Sequence, residues 1–224
     1  LWNTSLLAFT NKLPMRALRD QLKYDALYPA PHKITTLANN HDTVRFMSLE
    51  GATLEGAMMH TAFTLSVRGI PQLYYGEEIA MEGKEDPENR HDFPGGFASG
   101  SVRDSRSALQ STGRTAKEQQ MYEWTRSWIR LRAEHSSIRH GRLIDLFYDD
   151  DAYVFARQDQ TETVIVAINR HSQEKNVTLT ASSLGLKDGA RLTFLMGKGV
   201  DARVVNGQAT LILPARTAVA YRIL

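Results

Sequence analysis

The sequence has no cysteine among its 224 residues, which excludes disulfides, thiolate metal sites and a cysteine nucleophile. Chains without disulfides occur in the cytosol, in the periplasm and outside the cell, so this absence leaves the compartment open. No apolar run approaches the roughly 18 residues that a membrane-spanning helix needs, and no membrane partner is expected. Neither sign of charge dominates: 27 Lys and Arg face 25 Asp and Glu, for a net charge of +2. That balance supplies no basic surface for nucleic acid. The patterns HExxH, GxSxG, GxGxxG and GxxxxGK[ST] are also missing, which argues against zinc peptidases, serine hydrolases, dinucleotide enzymes and P-loop ATPases. The first residues, LWNTSLLAFTNKLP, offer neither an initiator Met nor a basic stretch before a cleavage site, and read as part of something longer.

What is present is an ordinary globular balance, 42% hydrophobic and 23% charged, in a chain long enough to bury a real core. In MRALRDQLKYDAL (15–27) Leu18, Leu22 and Ala26 share one helical face, and the two prolines of YPAPHK end it. A strand is expected over 34–38. A helix is expected over 50–67, where Leu54, Met58, Ala62 and Leu65 recur at helical spacing. Gly69 ends that helix, and IPQLYY (70–75) reads as a second short, buried strand. Strand, helix and strand with short connections form a βαβ unit, which implies a parallel sheet or barrel. Residues 76–114 are rich in Gly, Asp, Asn and Pro and read as a long loop. A helix resumes near Thr115 with Met121, Trp124, Trp128 and Leu131 as its apolar stripe. From Arg142 onward, short runs such as AYVFARQ, ETVIVAIN and QATLIL alternate with turns, the pattern of an antiparallel β-sandwich. The expected domains are 1–140 and 141–224.

Three stretches bear on chemistry. In TTLANNHDTVRF (35–46) a β-type run meets Asn39, Asn40, His41, Asp42 and Arg45. Ligands bind at the carboxyl ends of strands in parallel α/β folds, and a His-Asp pair there suits sugar hydroxyls. A helix start capped by Asn or Asp explains the same residues equally well. GIPQLYYGEE (69–78) ends in Glu77 and Glu78, whose simplest reading is helix-start charge or a solvated face, since neighbours on a strand point to opposite sides. DPENR (86–90) brings Asp86 and Arg90. The run Asp149–Asp151 reads as a hairpin turn, because calcium needs more oxygens than one turn supplies.

Together, LANNHDTVRF, GIPQLYYGEE and DPENRHDFPGGF resemble, in order and spacing, the α-amylase family of retaining glycoside hydrolases (glycoside hydrolase family 13). The likeness is nearest to its neopullulanase and cyclomaltodextrinase branch. The first stretch matches the family's F-x-x-N-H-D motif after the seventh barrel strand, with Leu37 in the lead position. The second is similar to the eighth strand, and the third to the substrate loop after it. The implied fold is α/β plus all-β: the last part of a (β/α)8 TIM barrel, strands 7 and 8 with their helices, followed by an antiparallel β-sandwich. The implied roles are Asp42 as the carboxylate that stabilises the transition state, and His41, Asp86 and Arg90 as substrate-binding residues. Asn40 would support the turn.

The family's nucleophilic Asp, within G-x-R-x-D after the fourth strand, and its proton-donating Glu after the fifth have no counterpart here. A complete barrel takes roughly 250 residues. The resemblance therefore implies the C-terminal portion of a retaining α-glucan hydrolase. It would act on α-1,4 links in starch-derived oligosaccharides, cyclodextrins or pullulan, and be inactive alone. A transglycosylase of the same family and a non-catalytic carbohydrate-binding module are the alternatives. The implied partners are an α-glucan and either the missing barrel portion or a second chain over the open strand edges. No cofactor or metal is expected in this chain; the resemblance allows calcium in a longer parent, without a site here. The resemblance makes a periplasmic or secreted parent plausible, and a cytoplasmic one stays open because nothing in the chain shows export.

Overall fold

Two parallel strands organise the first part of the chain in the computed structural model, which describes residues 1–95 and 106–224. Strands β1 (Thr35–Leu37) and β2 (Ile70–Gln72) pair with Thr35 opposite Ile70 and Leu37 opposite Gln72. Helix α3 (Leu54–Ser66) crosses between them, and its start is fixed by the Thr53 side chain, which accepts the Gly56 N–H. This is the expected βαβ unit. The expectation of a buried second strand fails: Ile70 is 55% exposed, because β2 has β1 on one side and an open edge on the other.

Two helices precede the unit. The sequence reading did not anticipate α1 (Trp2–Phe9). Helix α2 (Arg16–Leu22) gives way to a 3-10 turn, Lys23–Leu27. Leu18 and Leu22 are buried but Ala26 is exposed. The tighter winding of the 3-10 turn rotates position 26 off the face that the α-helical spacing predicted. Helix α4 (Ala116–Glu134) starts on a capping box, in which the Thr115 side chain accepts the Glu118 N–H and the Glu118 carboxylate accepts the Thr115 N–H. Its stripe packs inward, and Trp124 Nε1 donates to Met58 O at 2.6 Å.

The short helix α5 (Ser136–His140) leads into the all-β part. A six-stranded antiparallel sheet has the order β3 (Arg142–Tyr148), β4 (Ala152–Gln158), β5 (Thr163–Asn169), β10 (Thr217–Ile223), β7 (Arg191–Met196), β8 (Ala202–Arg203). Strands β6 (Lys175–Thr180) and β9 (Gln208–Leu213) form the facing pair. Strands β4 and β5 are apolar on both faces because each face has a partner. Tyr153, Phe155, Val164, Val166 and Ile168 join the core that contains Phe9, Leu18 and Phe63 of the helices. The alternate residues Val154, Ala156, Ile165 and Ala167 pack on Val177, Leu179, Leu211 and Leu213.

Two arginines, Arg157 and Arg170, tie the two parts together at helix C-termini, where carbonyls lack partners of their own. Arg157 donates to Ser66 O and Gly141 O, both at 2.8 Å. The half-buried Arg170 reaches Ala8 O at 2.8 Å, while the half-buried Arg132 of α4 reaches Leu65 O and Gly69 O, both at 3.0 Å, within the first part. The β3–β4 turn docks on the α1–α2 connection, with the N–H groups of Met15 and Arg16 donating to Asp150 O and Asp149 O. Each carboxylate of Asp149–Asp151 faces a cation: Lys175, Arg16 and Arg170 respectively. Those oxygens face ion-pair partners. Among the described residues no group of three or more His, Asp or Glu is placed to hold a metal ion.

Candidate functional site

The carboxyl end of β1 runs directly into the polar stretch. Asn39 is buried, and the chain then turns so that His41 and Asp42 emerge with side chains 64% exposed. The turn is held locally: Asn40 Oδ1 accepts the Asp42 N–H at 2.9 Å, and Thr43 Oγ1 accepts the Asn40 N–H at 3.0 Å. No α-helix starts here, since α3 begins only at Leu54. The helix-cap explanation of these residues is thereby removed.

All four residues singled out by the resemblance lie together. His41 Nε2 is 3.3 Å from Asp42 Oδ2, and Arg90 Nη2 is 3.5 Å from Asp42 Oδ1. Arg90 Nε donates to His41 O at 2.9 Å and lies 3.4 Å from Asp86 Oδ1. Two carboxylates, an imidazole and a guanidinium thus share one exposed rim. Such a set can donate to and accept from vicinal hydroxyls. Gly96 and Phe97, the end of the third motif, lie outside the described residues.

Three further residues shape the rim, and the sequence reading gave them no such role. Arg45 is fully buried, with Nε donating to Asn89 O at 2.9 Å and Nη1 to Tyr75 O at 2.6 Å. Asn89 is also buried and donates from Nδ2 to His41 O at 2.8 Å and Thr43 O at 3.0 Å. The third is Glu77. It sits in a 3-10 turn, Glu77–Ile79, rather than on a strand or a solvated face. Its Oε1 is shielded from solvent without a partner.

Glu77 lines a cavity of about 20 Å³ beneath the motif, with Asn39, Phe46 and His60. Burial pushes the Glu77 carboxyl up to about 8, against the opposing pull of the Tyr74 and Asn39 N–H groups and of Arg45. Burial pushes the His60 imidazole down to about 3. The ring sits between Ser5 Oγ at 3.0 Å and Thr64 Oγ1 at 3.2 Å, beside Phe9 and Phe46.

These two groups predict the pH profile of stability. Below about pH 6.5 the unfolded chain protonates His60 and the folded one does not, so His60 costs stability as pH falls toward 3. Above about pH 4.5 the folded chain retains the Glu77 proton and the unfolded one loses it, so Glu77 costs stability as pH rises toward 8. Between about 4.5 and 6.5 the two slopes oppose each other, giving a plateau flanked by losses of at most about 1.4 kcal/mol per pH unit. Thermal unfolding from pH 4 to 9 checks this. E77Q should flatten the alkaline limb and turn the plateau into a slope that rises with pH to about 6.5, and an unchanged alkaline limb would remove Glu77 as its source.

Comparison with known proteins places the chain among relatives. Residues 23–140 match the family "Alpha amylase, catalytic domain", and residues 141–221 match "Alpha-amylase C-terminal domain". A cyclomaltodextrinase of Geobacillus thermopakistaniensis (strain MAS1) is 28% identical over 66% of this chain and 23% of its own length. A cyclomaltodextrin glucanotransferase of Bacillus sp. (strain 1011) is 30% identical over 81% of this chain and 22% of its own. The chain spans less than a quarter of these curated relatives. The crystal structure of an Anoxybacillus α-amylase superimposes with a TM-score of 0.78 at 27% identity, over 99% of this chain and 45% of that one.

Proposed function

Since the chain belongs to the α-amylase family, we propose that it forms one side of an α-glucan-processing active site whose nucleophile and proton donor come from residues outside it. The observation that carries this reading is the clustering of His41, Asp42, Asp86 and Arg90 at the carboxyl end of β1. Asp42 would accept hydrogen bonds from hydroxyls of the sugar whose bond is cleaved, bonds that strengthen as the ring flattens toward an oxocarbenium-like state. His41 would donate to the same sugar, while Arg90 and Asp86 would bind the neighbouring donor-side glucose. Arg90 also ties the loop back to the His41 carbonyl. The substrates in this reading are α-1,4-linked maltooligosaccharides, cyclodextrins or pullulan. The remaining barrel, in the same polypeptide or a second chain, would cover the open edges of β1 and β2.

The test is direct. Residues 1–224 alone should release no sugar from maltoheptaose, whereas the complete polypeptide should, with the anomeric configuration of the product retained. Release by residues 1–224 at the rate of the complete polypeptide would overturn the reading. So would titration that confines maltooligosaccharide binding to residues 142–224, which would instead indicate a binding module. Transfer to a sugar acceptor is a second reading, favoured by the likeness to a glucanotransferase. Water and sugar compete for one intermediate, and product analysis at high acceptor concentration separates the two outcomes.

A further inference from the structure

The turn that carries His41 and Asp42 receives no support from regular structure, because β1 ends at Leu37 and α3 starts at Leu54. Beside the bonds within residues 40–43 and the Arg90 Nε donation to His41 O, a side chain 47 positions further along the sequence from Asp42 holds it. Asn89 is 1% exposed and donates to the carbonyls of His41 and Thr43, the residues on either side of Asp42. Both partners are carbonyls, so the amide can only stand with its nitrogen toward the turn. Its own Oδ1 is buried without a partner. The side chain is therefore placed by what it donates.

Arg45 fixes Asn89 in turn. Its Nε holds the Asn89 carbonyl, Nη1 holds the Tyr75 carbonyl, and its own N–H donates to Gly83 O at 2.9 Å. The guanidinium lies 4.6 Å and 4.7 Å from the ring centroids of Tyr74 and Tyr75. One buried cation thus connects the polar turn, the segment after β2 and the loop of the third motif. The direct contact from the rim to the Asp42 carboxylate is weaker, with Arg90 at 3.5 Å and exposed.

We propose that Asn89, anchored by Arg45, is a positioning residue: by holding the two carbonyls that flank Asp42 it sets the direction in which the Asp42 carboxylate leaves the turn. The inference deepens the reading of Asp42 as a sugar-binding carboxylate and rests on it for its catalytic half. Its structural half stands separately.

Two measurements test it. In ¹⁵N relaxation on residues 1–224, the backbone order parameters of residues 41–43 should fall from about 0.85 to below about 0.6 in N89A, with those of β5 unchanged. N89D, which turns an oxygen toward the two carbonyls, should do the same; if it fails to fold, Asn89→Ser replaces it. In the complete polypeptide N89A should lower kcat tenfold or more with KM within about twofold, and should add no further loss in a D42N background. Unchanged order parameters in both variants overturn the proposal. So does a loss of kcat that adds fully to that of D42N, since a merely structural residue would behave that way. Should D42N itself retain normal kcat, the functional reading fails while the relaxation result still decides whether Asn89 holds the turn.

Discussion

Replacing Asp42 by Asn in the complete polypeptide is expected to lower kcat on maltoheptaose by about 10²–10³-fold, with KM changing far less. The substitution keeps size and shape, and the backbone bond from the Asp42 N–H to Asn40 Oδ1 is untouched. What it removes is the negative charge, together with one acceptor that becomes a donor. A charged acceptor on sugar hydroxyls does its work as the ring gains positive character, so the loss falls on the transition state more than on the bound ground state. The carboxylate is exposed and lightly held, by His41 at 3.3 Å and Arg90 at 3.5 Å. Fold stability should therefore move little. Steady-state kinetics with a melting curve for each protein give the answer. A kcat within threefold of the parent would remove Asp42 from the mechanism.

The second large effect is on stability. Arg157→Ala is expected to destabilise the protein by about 3–6 kcal/mol, since each of two hydrogen bonds from a charged donor contributes about 1.5–3. Arg157 is 1% exposed and holds the carbonyls of Ser66, at the end of α3, and Gly141, at the start of the all-β part. Burial brings its guanidinium down to about 10, still charged at neutral pH. Without it both carbonyls are left buried and unpaired, which replacement by Ala cannot repair. For a chain of this size the melting temperature should drop on the order of 10 °C. Lys at this position, able to reach one carbonyl, should lose about half as much. A drop of less than about 2 °C for the Ala variant would show that solvent replaces the guanidinium freely.

What the sequence made legible were features with short-range causes. Helix α4 could be read from its apolar spacing, and β4 and β5 from runs that only a doubly covered strand tolerates. The motifs pointed to the architecture because their order is a property of the chain itself. What escaped was set by partners remote in sequence. Arg45 and Asn89 are 44 positions apart and look like surface residues of two loops until the fold buries them against each other. Glu77 looks like a helix-start charge, and only its cavity beneath the turn reveals a carboxyl that resists ionisation. Ala26 and Ile70 failed for opposite reasons, a change in helical winding and a missing neighbour. Helix α1 carries no capping side chain. Its burial depends on tertiary packing, which includes the Arg170 bond to Ala8 O from far along the chain.

The shared core has a bearing on how such proteins can be recombined. The match to one family ends at residue 140 and the match to the next begins at 141, which invites cutting and joining there. Yet Tyr153, Phe155 and Val166 on one side of that point pack in the same core as Phe63 on the other. A chimera that joined this front part to the sandwich of a relative would inherit the second sheet's packing intact. It would meet foreign side chains beneath α3. Grafts should therefore succeed when the donor's β4 and β5 faces toward the helices travel together with their matching α3 residues, and fail when exchange follows the linear border alone.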